Sequence, residues 1–101
     1  MDRFTQLESF VSIVLNGSIS AAARKAQVTA AMMGRRLESL EDRLGVKLLT
    51  RTTRTQQLTP EGEIFLEEAQ RLLRELAESE ALVSQGKASI RGPLRLSAPA
   101  G

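Results

Sequence analysis

The chain has no cysteine and no histidine. The first absence excludes a disulfide framework and thiolate zinc ligation, and the second removes a His-based metal site and an imidazole general base. No apolar run approaches the length of a signal h-region or a membrane span, so the expectation is a cytoplasmic protein with no membrane partner. Glu63, Glu67 and Glu68 could be imagined as paired catalytic acids, but no base, nucleophile or pocket-forming pattern accompanies them. An enzyme is therefore not expected, and no cofactor or metal is implied. The 101 residues leave room for one small domain plus an appendage. A core of about 60 residues buries too little surface to be comfortably stable alone, so the appendage should support it.

What is present is charge, sorted into two blocks. Residues 18 to 60 hold Arg24, Lys25, Arg35, Arg36, Arg43, Lys47, Arg51 and Arg54 against Glu38, Glu41 and Asp42, a balance of +5. Residues 61 to 86 reverse it to −5, with seven Glu facing Arg71 and Arg74, so the net charge of +2 hides two oppositely charged modules. Phosphate is drawn to the first and repelled by the second.

Phe4, Leu7, Phe10, Val11 and Val14 recur at three-and-four spacing, which predicts a helix over about 5 to 15. Thr5 and Glu8 have capping-box spacing, and Asn16-Gly17 is a stop signal. Ser18 or Ser20 then caps a short helix through Ala21, Ala22, Ala23 and Ala26, whose small side chains allow a neighbouring helix to come close. Thr29 is suited to cap a third helix with Met33, Leu37, Leu40 and Leu44 on one face and Arg35 and Arg36 largely off it, ended by Gly45. Met33 reads as packing and Met32 as half exposed.

Residues 46 to 49 and 57 to 59 are short strand candidates around a polar, basic tip from Thr50 to Gln56, the expected wing. Thr59-Pro60 opens a fourth helix with a cap, a proline in the first turn and acids behind it. Phe65, Ala69, Leu72, Leu76 and Val83 lie on a four-three repeat broken at Ser79, widened by Leu66 and Leu73, a stripe that wants a partner. After Gly86 the tail loosens, and Leu94 to Ser97 is a strand-like fragment without a mate. The expected architecture is mainly α: a winged helix-turn-helix of three helices and a two-stranded wing over 1–59, a long helix over 60–86 whose stripe suits dimerisation, and a hinge over 87–101 that is either disordered or the start of a further domain.

The motifs Leu7-Glu8-Ser9-Phe10, Asn16 to Arg24, Leu40 to Leu49, Arg51-Thr52-Thr53-Arg54 and Leu58-Thr59-Pro60-Glu61-Gly62 stand in an order and spacing that resembles the N-terminal DNA-binding domain of LysR-type bacterial transcriptional regulators. The resemblance covers about residues 4 to 66. It implies sequence-specific binding of double-stranded DNA on dyad-symmetric sites. The third helix would enter the major groove through Thr29, Ala30, Ala31, Gly34 and Arg35, with Arg36 beside them, and the wing residues Arg51, Thr52, Thr53 and Arg54 would approach the minor groove and backbone. Ser18 and Ser20 combine capping with a possible phosphate contact. The resemblance also implies a homodimer paired through Phe65, Ala69, Leu72, Leu73, Leu76 and Val83, and a small-molecule effector only in a longer parent protein.

Three positions depart from the family pattern: Gln27 stands where Gly is usual, Ala31 where Pro or Ser is common, and Gly34 where Ser usually faces DNA. Gln27 at a turn needing positive φ is strained, and Gly34 within a helix costs about 1 kcal/mol relative to Ala. With Ala30, Ala31 and Gly34 side-chain-poor, base discrimination would rest on Arg35, which can bond guanine bidentately, and on apolar contact with thymine methyls. Other readings stay open on the residues alone. Arg35 and Arg36 also fit a solvated helix face, Arg51 to Arg54 a hairpin made polar for solubility, and the fourth-helix stripe a face folded back on its own domain. The competing functions are a helical adaptor using the acidic helix, and a winged domain that reads DNA by shape only.

Overall fold

The computed structural model describes residues 2–51 and 55–89. Four helices and a two-stranded sheet follow in the order α1 (Arg3–Asn16), α2 (Ile19–Ala26), α3 (Ala30–Leu44), β1 (Leu49–Arg51), β2 (Gln56–Leu58) and α4 (Pro60–Ser89). The chain divides into a compact unit over residues 1–70 and a second over 71–101. The first unit therefore includes the opening turns of α4, eleven residues beyond the boundary at 59 suggested by the sequence.

The helix boundaries are set by local caps. Asp2, and not Thr5, caps α1: its carboxylate accepts the Thr5 N–H at 2.6 Å. This moves the start two residues upstream of the expected one. Hydrogen bonding by the Thr5 amide, which favours the ionised form, holds the Asp2 carboxyl below its ordinary range. Ser18 caps α2 by accepting the Ala21 N–H at 3.0 Å, so of the two candidate serines it is the first that caps. Thr29 caps α3 by accepting the Met32 N–H at 3.0 Å. Gly17 and Gly45 close α1 and α3 in the left-handed conformation, at φ 88° and 77°.

Helices α1, α2 and α3 pack against one another. Phe10, Ile13, Met33, Leu40 and Leu48 are the largest fully buried side chains, and Ala22 and Ala23 let α2 approach its neighbours closely. The predicted stripes need adjustment at their ends. Phe4 is 42% and Leu44 38% exposed, whereas Ile13, absent from the predicted α1 face, is fully buried.

The wing strands pair antiparallel with Leu49 opposite Leu58, Thr50 opposite Gln57 and Arg51 opposite Gln56. Both strands are displaced from the expected segments. Residues 46 to 48 form an irregular lead-in to β1, and Thr59 serves α4 instead of β2. The displacement has a side-chain cause: Thr59 Oγ1 donates to the Lys47 carbonyl at 2.6 Å and accepts the Gly62 N–H at 2.9 Å, while the Thr59 N–H donates to the Leu48 carbonyl at 3.0 Å. One threonine thus ends the hairpin and starts the helix. Thr52, Thr53, Arg54 and the strand-like fragment at 94–97 lie outside the described residues.

The start of α4 completes the core. Phe65 packs against Phe10 with ring centroids 5.6 Å apart, and Ala69 is fully buried. Of the predicted dimer stripe, Ala69 thus lies in the domain's own interior and the half-buried Phe65 packs over it through Phe10, adding apolar surface that a small three-helix core needs. Gly62 lies so close to the wing lead-in that a Cβ there would run into the Leu48 carbonyl oxygen and stand 3.0 Å from Leu58 Cδ2.

Candidate nucleic-acid interface

The turn between α2 and α3 is closed by Gln27 at φ 61°, ψ 42°, the one positive-φ non-glycine among the described residues. Its N–H donates to the Arg24 carbonyl at 3.2 Å, and the Val28 N–H donates to the Ala23 carbonyl at 3.0 Å. The elbow keeps the tight geometry that a glycine would adopt without strain. Gln27 therefore holds a left-handed backbone that strains a residue with a side chain.

Beyond that elbow, the first turns of α3 are outward-facing. Thr29, Ala30, Ala31 and Arg35 are exposed, Gly34 is half-buried, and Met32 is 43% exposed. Arg35 lies opposite the buried row of Met33, Leu37, Leu40 and Glu41, and makes no hydrogen bond or ion pair with the described residues. Arg36 behaves differently: its Nη1 donates to Ser9 Oγ at 3.4 Å, turning it back over α1. The sequence favours Arg35 over Arg36 for base contact, and of the two it is Arg35 whose guanidinium makes no bond with the described residues. A Cβ at Gly34 would meet nothing within 4 Å, so the fold itself does not require glycine there.

Several basic residues counted toward the +5 block serve the fold. Arg43 donates through Nε and Nη2 to Gln6 Oε1 at 3.0 and 2.7 Å, tying the end of α3 to the start of α1. Lys47 Nζ stands 3.7 Å from Glu41 Oε1, a contact worth little because Lys47 is 75% exposed. Arg24 and Lys25, exposed in the last turn of α2, make no such bond with the described residues. At the other end of α2, Ser18 at the cap and Ser20 in the first turn are exposed, so capping leaves Ser18 accessible. Arg51 ends β1.

Two residues with structural roles at this face were not singled out by the sequence. Glu41 is 6% exposed and accepts the N–H groups of Leu48 and Leu49 at 2.8 and 3.2 Å. Its signal was a charged residue four positions after Leu37, on the apolar row of α3. Gln56 Nε2 donates to the Ile13 carbonyl at 2.9 Å and ties the wing to α1. That bond spans 43 residues and left no local trace.

The arrangement is a helix-turn-helix whose second helix is capped, outward-facing and followed by a hairpin. The family model described as a bacterial regulatory helix-turn-helix protein of the lysR family matches residues 4–63. The chain belongs to the LysR family. It is similar to an HTH-type transcriptional regulator of Xanthomonas campestris pv. campestris (strain 8004), 42% identical over 90 residues that cover 89% of this chain and 26% of that protein. Among solved structures it is similar to the BenM DNA-binding domain in complex with catB site 1 DNA, at TM-score 0.81 and 29% identity over 88% of this chain and 95% of that one. It is also similar to the CbnR DNA-binding domain in its DNA complex, at TM-score 0.75 and 39% identity over 87% and 99%. This LysR-family chain spans about a quarter of the length of the Xanthomonas regulator. No described helix is long and apolar enough to cross a membrane.

Proposed function

We propose that this LysR-family domain binds double-stranded DNA sequence-specifically in transcription regulation, as a homodimer on dyad-symmetric sites. The observation that carries the reading is Arg35, exposed on the outer face of α3 and without a partner among the described residues, next to a capped helix start. An unengaged guanidinium there suits bidentate bonding to guanine in the major groove, while Thr29 and the free N–H groups of the α3 start suit a phosphate. Ser18 and Ser20 suit contacts along that phosphate path, and Arg51 to Arg54 have the chemistry to bind the adjacent backbone or minor groove. The similarity to two domains solved on DNA supports the same placement.

Dimerisation is assigned to the outer part of α4. Leu72, Leu76 and Val83 are 46%, 39% and 67% exposed, and Leu82 beside them is 71% exposed, too much unpartnered apolar surface for a helix in water. Leu73 is half-buried and flanks this stripe. Two copies paired along it would set their α3 helices on successive major grooves, about one helical turn apart. A small-molecule effector would act through a further domain of a longer parent protein.

The test is titration of duplex DNA across a range of salt concentrations, with sedimentation equilibrium on the same samples. The expected result is a dimer whose affinity falls linearly in log-log salt, with Leu76→Glu shifting it to monomer and weakening binding. Absence of binding at any salt would refute the reading, and a monomer that binds as tightly as the parent would refute the dimer.

A further inference from the structure

Glu41 is the one buried charged side chain among the described residues, and the DNA contacts proposed above do not include it. A carboxylate on an apolar helix face carries a desolvation cost that an aliphatic residue of similar size would avoid, so it is informative what the group holds. Oε2 accepts both the Leu48 and the Leu49 N–H, at 2.8 and 3.2 Å, and Oε1 faces Lys47 Nζ. The connection from Gly45 to Leu48 has no regular structure, so no backbone ladder fixes the wing to α3. The Glu41 carboxylate makes that link, from the helix that bears Arg35 to the strand that ends at Arg51. On its other side Leu48 is held by the Thr59 N–H on its carbonyl.

We propose that Glu41 is a positioning residue for DNA binding: through the Leu48 and Leu49 amides it sets the reach of the wing relative to α3, so that Arg35 and Arg51 engage one duplex together. It touches no nucleotide itself. The inference rests on the DNA-binding reading above.

The experiment compares the parent, Glu41→Asp, Glu41→Gln, Arg51→Ala and the Glu41→Asp/Arg51→Ala double variant on one duplex, by fluorescence anisotropy at several salt concentrations, with circular dichroism establishing that each is folded. Asp keeps charge and acceptors but is one methylene shorter, so it draws the lead-in strand toward α3. It is expected to lose about tenfold in affinity and to flatten the salt slope by about one. Adding Arg51→Ala to Glu41→Asp is then expected to cost almost nothing more, because the wing contact is already lost. Gln keeps an oxygen acceptor at the parent reach and is expected to bind within about twofold of the parent.

A purely structural role predicts otherwise: Glu41→Asp would melt earlier yet bind as the parent does, with Arg51→Ala costing the same in both backgrounds. That outcome overturns the inference, as does a folded Glu41→Gln that loses as much as Asp. If Asp does not fold, Glu41→Met, which fills the buried site but removes the acceptor, is expected to show the same loss of affinity and salt slope, and a folded Met variant that binds as the parent does overturns the inference. A parent chain that binds no duplex overturns the DNA-binding reading and this inference with it, whereas a binding parent with an unaffected Glu41→Asp overturns the inference alone.

Discussion

The same substitution made at two helical glycines should move stability in opposite directions. Gly34 lies inside α3, and a Cβ there would meet nothing within 4 Å. Gly34→Ala removes only the conformational penalty of glycine in a helix and should stabilise the domain by about 1 kcal/mol. Gly62 lies in the first turn of α4, where the propensity gain is smaller and a Cβ would run into the Leu48 carbonyl, with Leu58 Cδ2 at 3.0 Å. The backbone oxygen cannot move aside like the end of a flexible side chain. It also accepts the Thr59 N–H, so relief of the clash must disturb the bonds by which Thr59 joins wing to helix.

Overpacking of this kind costs about 1–3 kcal/mol, and disturbance of the Thr59 bonds adds about 1 kcal/mol, for a net loss near 2 kcal/mol. In a domain of this size each kcal/mol shifts Tm by about 4–8 °C. Urea unfolding followed by circular dichroism, with the slope m held in common, measures both variants. A Gly62→Ala chain at least as stable as the parent would refute the close approach of α4 to the wing lead-in. A destabilised Gly34→Ala would refute the open space over α3.

Gln27→Gly should raise stability by roughly 0.5–1 kcal/mol in the same assay, since the left-handed backbone at φ 61° costs a side-chain-bearing residue more than glycine loses in the unfolded chain. Arg35→Ala should weaken binding to a selected site by about ten- to a hundredfold with little effect on random DNA, whereas Arg36→Ala, which loses a bond to Ser9, should leave that ratio unchanged in competition assays. The Asp2 carboxyl is lowered from its ordinary 3.8 by the Thr5 amide, so its cap contributes above that value and is lost as pH falls through the lower folded one. The Tm difference between the parent and Asp2→Ala should accordingly be constant from pH 5 to 7 and shrink below about 3.8.

The elements that the sequence disclosed are those whose determinants lie within a few residues. Ser18, Thr29 and Thr59 each accept an N–H three residues on, and Gly17 and Gly45 supply their own left-handed turns, so the start or stop of each helix could be read locally. Thr5 misled because Asp2 stands three residues before it with a stronger acceptor. The strand boundaries were displaced because Thr59 is shared between hairpin and helix, a competition that no strand pattern expresses. Long-range pairs were invisible: Arg43 with Gln6 lies 37 residues apart and Arg36 with Ser9 27 apart, so Arg43 counted only as one charge of the basic block and Arg36 as a DNA-facing one. Phe65 and Ala69 shared a repeat with Leu72 and Leu76, and periodicity alone could not say where the stripe leaves its own core and becomes available to a second copy.

Selection of bound sites from random-sequence duplex DNA, with the enriched pool retested against scrambled DNA at near-physiological salt, measures the central claim most directly. The account predicts enrichment of a dyad-symmetric sequence with half-sites about one helical turn apart and a preference over scrambled DNA of at least about a thousandfold. Salt-sensitive binding without any enriched sequence would contradict it, because phosphate attraction alone would then explain the affinity and Arg35 would read no base.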